Sequence, residues 1–351
     1  MIGILEQIDV LSHFANHTYV VDSKIKKAKN LEDLKDSSKD LINIISSLHA
    51  KGVKVNHISN LIGQLNTKVY QKLYELILPK ELRNDACFIV MGSEGRNEQI
   101  IKTDQDNALV IKDGIEVEQY KFYMNEITKN LIDFGYPICE GNIMVSNPFW
   151  CKTVNEYKNE TARWIEAPGI QNYMDLAIFF DSFAVAGNKE LLINLKDNLF
   201  NKLHDKDVFM AYFAKATLAF DTPNTVTNIM TKSHIIDIKK TAVFPIVQGI
   251  RSLALKEKIR ETTTIKRIKI LENRKVLEKD KAAELLEAFD FVNTIRLKSQ
   301  LFDIQHGKKI TNEIDTHTLG KIERDLLKDS FKIINEFKRF ISYTFRIDRI
   351  S

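Results

Sequence analysis

Only three cysteines occur in the 351 residues, Cys87, Cys139 and Cys151, and no two form a C-x-x-C pair. An odd, scattered set argues against a disulfide framework or a cysteine zinc site and is expected of a reducing compartment. Glycine and proline are also sparse, at 13 and 6. That argues against a turn-rich all-β fold and for long helices. A dominant charge sign is missing too: 51 Lys and Arg oppose 47 Asp and Glu, for a formal net charge of +4. The signs are interleaved, so no dedicated nucleic-acid surface is expected, and the basic stretch from Lys256 to Lys269 reads as a solvated helix face. No apolar run is long enough to span a membrane. The opening MIGILEQIDVLSHF lacks the basic start and long apolar core of a secretory signal. The expectation is a cytoplasmic protein with no membrane partner.

What is present is a globular composition, 44% hydrophobic and 28% charged, with room for two or three domains. Residues 1–80 read as an N-terminal helical segment. Asp36 and Ser37 precede an apolar series at Leu41, Ile44, Ile45 and Leu48. Ile58, Leu61, Ile62, Leu65, Val69, Leu73 and Leu76 then recur at helical spacing. No chemistry is read in these helices, and His13, His17, His49 and His57 have no metal-ligand spacing.

Residues 81–190 alternate. Cys87–Met91 and Asn107–Ile111 are short apolar runs, residues 117–134 are helical, Ile138–Val145 looks extended, and Trp150–Trp164 is helical. Residues 191–351 return to helix at Phe209–Phe220, Ile235–Glu257, Ala282–Phe302 and Lys321–Arg346. In the last, Leu327, Phe331, Ile334, Phe337, Ile341 and Phe345 share a stripe. The expected fold class is α+β: helical segment, small mixed-sheet domain, and C-terminal antiparallel helical bundle.

The chemistry concentrates in Ala86–Val110, ACFIVMGSEGRNEQIIKTDQDNALV. In extended backbone, Asp104 and Asp106 point to one face. Two carboxylates so placed repel each other unless a cation lies between them, and Mg²⁺ suits carboxylates combined with phosphate oxygens. A dozen residues earlier Gly92 permits a tight turn, Ser93 offers a hydroxyl, and backbone N–H groups there suit a phosphate. Arg96 adds a fixed positive charge, for a triphosphate or for a salt bridge to Glu98 or an aspartate. Glu98 and Gln99 are expected to pin the loop.

The segment G-S-E-G-R-N-E-Q-x-x-x-T-D-Q-D-N-A-L resembles the signature of the DUF294 branch of the polymerase-β-like nucleotidyltransferases, related to the PII uridylyltransferases. Gly135-Tyr136-Pro137, Gly141-Asn142-Ile143-Met144, Ser146-Asn147-Pro148 and Trp150 resemble that family's next block. Asp237-Ile238-Lys239, Pro245-Ile246, Arg251 with Leu253-Ala254-Leu255, and Arg296-Leu297 with Gln300 resemble its C-terminal substrate-binding domain. The resemblance covers residues 80–345.

It implies Mg²⁺ or Mn²⁺ at Asp104 and Asp106, a nucleoside triphosphate held by Gly92, Ser93 and Arg96, and transfer of a nucleoside monophosphate to a hydroxyl as pyrophosphate leaves. A third carboxylate is expected, with Asp181 as first choice after the apolar run Ala177–Phe180, and Glu140 and Asp175 as alternatives. Lys239, Arg251 and Arg296 would face the acceptor or its phosphates, unless they cover the bundle surface. The acceptor is unidentified; a protein side chain in a signalling context follows by analogy alone. Family members often carry sensor domains ahead of the catalytic block; here some 80 helical residues precede it, so either the chain lacks a sensor of its own or a separate sensor partner supplies one. The rival readings are a nucleotide-binding regulatory protein without turnover and a helical interaction protein that keeps the fold.

Overall fold

The computed structural model describes residues 18–167, 169–223 and 234–350. The opening stretch read for a targeting signal, with His13 and His17, lies outside them. The chain divides into two compact units, residues 1–157 with 182–195, and residues 158–181 with 196–351. Among the described residues no helix is long and apolar enough to cross a membrane.

The first unit begins with helices α1 (18–27), α2 (Leu31–Lys39), α3 (Leu41–Ala50) and the 23-residue α4 (Val55–Ile77). Asn30 starts α2 by accepting from the Asp33 N–H, a side-chain N-cap. The stripe predicted for α4 is buried at Ile58, Ile62, Leu65, Val69 and Leu73. After the short α5 (Lys80–Arg83) comes a mixed sheet of β1 (Ala86–Val90), β2 (Asn107–Ile111), β3 (Cys151–Thr153) and β4 (Phe183–Gly187), in the order β3-β2-β1-β4. β1 pairs antiparallel with β2 and β4, and β2 pairs parallel with β3.

All ten residues of β1 and β2 are buried, as unbroken apolar runs require. The one-turn α6 (Gly92–Gly95) joins these strands, and α7 (Glu118–Asp133) follows β2. α4 packs on the sheet: the Tyr74 ring stacks on Phe88, centroids 6.0 Å apart and planes within 11°. The N-terminal helices thus belong to the same unit as the sheet.

Ile138–Val145 is not a strand. Asn142 turns left-handed at φ 52°, and the third strand is instead Cys151–Thr153, followed by α8 (Val154–Glu166). The unit division falls within α8 and again within α10 (Glu190–Lys202).

The second unit holds α9 (Ile170–Phe180), α11 (Asp207–Lys215), α12 (Phe244–Lys256), α13 (Thr264–Asn273), α14 (Lys279–Gln305) and α15 (Lys321–Thr344). α12 is its central helix, buried without a break from Pro245 to Leu255. The stripe predicted for α15 is buried at all six positions. Ile235–Glu257 is not one helix. β5 (Ile235–Asp237) pairs antiparallel with β6 (Glu313–Asp315), and a π-helical turn, Lys239–Val243, leads into α12. The basic stretch read as solvated contains a fully buried residue, Arg267.

Candidate nucleotide and metal site

The corner begins where β1 ends. Met91 donates its N–H to the Asp106 carbonyl at 2.7 Å, so the β1–β2 ladder runs one rung past both strands. Gly92 then turns left-handed, φ +53°, a conformation that costs a residue with a β-carbon about 1–2 kcal/mol. The turn closes through Gly95 N–H to Met91 O at 2.8 Å and Glu98 N–H to Ser93 O at 2.9 Å. A β-carbon on Gly92 would overlap the Asp106 carboxylate oxygen Oδ2 and lie 3.2 Å from its Cγ. The glycine therefore makes room for the second aspartate.

The two aspartates precede β2, which starts at Asn107. The strand-like alternation still holds: Gln105 and Asn107 are fully buried while Asp104 and Asp106 are half-buried. Gln105 donates to the Tyr136 carbonyl at 3.2 Å and accepts from Asn107 Nδ2 at 3.3 Å. Asn107 Oδ1 in turn accepts from the Val145 N–H at 2.8 Å, and its own N–H donates to Ile143 O at 3.1 Å. The glycine-containing segment around residue 141 is thus pinned to the start of β2 through Asn107.

Gln99 pins Asp104 as expected, donating to Oδ1 at 2.5 Å and to the main-chain carbonyl at 3.1 Å. Arg96 pairs with Glu98, Nε to Oε2 at 2.6 Å, both side chains largely buried. The salt bridge to Glu98 is one of its two expected roles. Cys139 lies near enough to feel Asp106. Burial first, and then the Asp106 charge, push its thiol up to about 12.

Sequence reasoning passed over Glu94 and Lys102. Glu94 is buried, 7% exposed, and accepts from the Tyr70 hydroxyl at 2.5 Å. Burial, with added repulsion from Asp104 and Asp106, holds its carboxyl well above the usual range. The Lys102 ammonium donates to Ser38 Oγ at 2.6 Å, Ser38 O at 3.1 Å and Phe134 O at 2.7 Å, and burial lowers it to about 8. An acid inside a glycine–serine turn was the available sign for Glu94, since burial of a charge there demands a partner.

The donor set fits a hard divalent cation. Asp104 and Asp106 supply carboxylates, and a buried oxygen beside them, Gln99 Oε1, makes no hydrogen bond. Mg²⁺ takes one or two carboxylates and completes its shell with phosphate and water. Among the described residues no group of three or more His, Cys, Asp or Glu is arranged to hold a metal by itself.

Most of the remaining candidates lie in the second unit. Asp181 is completely buried. Its Oδ2 accepts from Arg251 Nη2 at 2.6 Å and Nε at 2.9 Å, and its Oδ1 accepts from Arg267 Nη1 at 2.6 Å. Both of its oxygens are engaged by guanidiniums, which accounts for the burial of the charge without a metal. Arg251 is also bonded to Gln248, and Arg267 lies over the Phe180 ring at 4.6 Å. Of the alternatives, Asp175 accepts from Gln171 at 2.8 Å and Glu140 is exposed. Lys239 opens the π-helical turn, and Arg296 donates to Asn312 Oδ1 at 2.7 Å.

Two family models match the chain. Residues 39–171 match "Putative nucleotidyltransferase DUF294", and residues 207–345 match "Putative nucleotidyltransferase substrate binding domain". The first match starts at the last residue of α2, well ahead of the glycine turn, and so takes in α3 and α4 with β1, β2 and β3, while β4 lies beyond its end. No curated protein matches the chain. With its glycine turn, its paired aspartates and both family domains in order, this chain belongs to the DUF294 nucleotidyltransferase family.

Proposed function

We propose that the protein moves a nucleoside monophosphate from a nucleoside triphosphate to an acceptor hydroxyl, using Mg²⁺ or Mn²⁺ at Asp104 and Asp106. The observation that carries this reading is the fit between Gly92 and Asp106, where the turn suited to phosphates and the carboxylate suited to the cation occupy adjacent space. The bound cation supplies charge neutralisation on the triphosphate and lowers the pKa of the attacking hydroxyl. The chain's own residues do the rest. Ser93 and the backbone of its turn receive the triphosphate, Gln99 orients Asp104, and Asp106 is seated by the turn. The acceptor oxygen forms a bond to the α-phosphorus as the bond from that phosphorus to the bridging oxygen breaks, pyrophosphate leaves, and the hydroxyl proton passes to solvent.

The resemblance to PII uridylyltransferases supports a protein side-chain hydroxyl as acceptor and a signalling role in the cytoplasm. Lys239 and Arg296 are the cations proposed to meet the acceptor. The test is incubation with cell lysate and each of the four α-labelled triphosphates, with Mg²⁺. Label is expected in an acceptor with the wild type and none with the Asp104→Ala, Asp106→Ala double variant. Undiminished transfer by the variant would sink the assignment. A second reading, nucleotide binding without turnover, is favoured by the engagement of Asp181 with two arginines. Mg²⁺-dependent retention of a triphosphate with no label in any acceptor would support it.

A further inference from the structure

The helices ahead of the motif grip it at several points. Tyr70, on α4, donates to Glu94 inside the turn. A β-carbon on Gly63, also on α4, would lie 2.8 Å from Asn97 Oδ1, so α4 and the end of the turn are in close contact there. Asn66, again on α4, accepts from the Tyr136 hydroxyl at 2.8 Å, while Tyr136 O receives Gln105, the residue between the two aspartates. Ser38, at the end of α2, receives Lys102.

Of these contacts, the one from Tyr70 reaches into Gly92–Gly95 itself. Glu94 is flanked by Ser93 and Gly95, its side chain is more than nine-tenths buried, and Oε2 makes no hydrogen bond. The Tyr70 hydroxyl is thus the group that fixes the carboxyl. Tyr70 is itself held: its ring packs on Tyr136 at 5.5 Å and on Phe88 of β1 at 6.0 Å. A rigid helix therefore sets the turn that seats Asp106.

We infer that Tyr70 and Glu94 are a positioning pair for nucleotide binding, through which the N-terminal helix α4 holds the Gly92–Gly95 turn in its binding conformation. This rests on the reading of the turn and the paired aspartates as a triphosphate site. Glu94 acts as a hydrogen-bond acceptor and not as an ionised ligand of metal or substrate. Glutamine, which keeps the accepting oxygen and the shape, therefore replaces it, whereas alanine does not.

The test uses the full chain as wild type, Tyr70→Phe, Glu94→Ala and Glu94→Gln. Tyr70→Phe keeps the ring packing and loses only the hydroxyl. Binding of ATP, GTP, CTP and UTP is measured with Mg²⁺ by equilibrium dialysis, and backbone amide exchange of residues 95–98 is measured without nucleotide. Tyr70→Phe and Glu94→Ala are expected to speed exchange at these amides at least tenfold. They should also raise Kd roughly tenfold to hundredfold for whichever triphosphate the wild type retains, the scale set by leaving a buried acceptor or donor unsatisfied. Glu94→Gln should stay near wild type in both. Unchanged exchange and Kd in Tyr70→Phe would overturn the pair. Glu94→Gln binding as weakly as Glu94→Ala, with wild-type exchange, would also overturn it and make Glu94 an ionised ligand. If exchange responds as expected while the wild type retains none of the four triphosphates, it is the nucleotide reading that fails, and the assignment to binding with it.

Discussion

The Asp106 carboxylate occupies the space that a β-carbon on Gly92 would fill. Gly92→Ala therefore meets two obstacles, the left-handed φ of +53° and the overlap with Oδ2. The backbone alone costs about 1–2 kcal/mol, so the fold should survive, and the relief falls on Asp106. The expected result is a loss of at least roughly hundredfold in Mg²⁺-dependent nucleotidyl transfer, about 3 kcal/mol at the transition state, with an unfolding midpoint only slightly lowered. Transfer at the wild-type rate would show that Asp106 does not act from this position.

Asp181 is expected to act on stability. Removing the partner of a buried ion pair leaves uncompensated charge and costs about 3–5 kcal/mol. Here two guanidiniums, on Arg251 and Arg267, lose the same carboxylate. Asp181→Ala should lower the urea midpoint by that order while leaving the Mg²⁺ dependence of triphosphate binding in the remaining folded protein unchanged. A shifted Mg²⁺ dependence with normal stability would restore the metal-ligand role.

Much of this was legible in the sequence and some was not, for physical reasons. The corner is local: turn, pinning glutamine and both aspartates lie within fifteen residues, so spacing alone exposes it. The α15 stripe is equally plain, because helical burial writes itself at three- and four-residue intervals. What failed was non-local. Ile235–Asp237 looked helical because its partner strand, Glu313–Asp315, is far along the chain. Arg267 looked solvated among basic neighbours, and its buried ion pair with Asp181, 86 residues away, leaves no mark in local spacing. Tyr70 looked like part of an ordinary helix face, since a hydrogen bond to Glu94, 24 residues on, leaves no periodic trace.

Lys196 gives the second unit a pH dependence. Burial first, and the Arg267 charge second, lower its ammonium from 10.5 to about 7; Arg260 adds to this, while Asp181 and Glu261 oppose it. From pH 7 to about 10.5 the unfolded chain keeps a proton that the folded chain has released, so this group's contribution to stability rises with pH across that window. The slope is at most about 1.4 kcal/mol per pH unit. Below pH 7 both states are protonated and the contribution is flat. Urea midpoints at pH 6, 7.5 and 9 should show the wild type gaining on Lys196→Met as pH rises above 7. Parallel curves would mean that Lys196 titrates normally.

α12 packs closely on α15 at Gly249. A β-carbon there would lie 2.8 Å from Phe337 Cζ and 3.1 Å from Ile341 Cγ1, both on α15. Those side chains are buried, at 5% and 0% exposure, so neither can swing into solvent to make room. Gly249→Ala should help α12 by helix propensity, worth about 1 kcal/mol. Overpacking against α15 should cost about 1–3 kcal/mol, and the two opposed effects leave a net loss when the ring cannot move. The expected outcome is a lower urea midpoint for Gly249→Ala and recovery in the double variant Gly249→Ala, Phe337→Leu, where the smaller side chain leaves the helix-propensity gain exposed. A rise in midpoint for the single variant would show that α12 and α15 are not in this contact in solution.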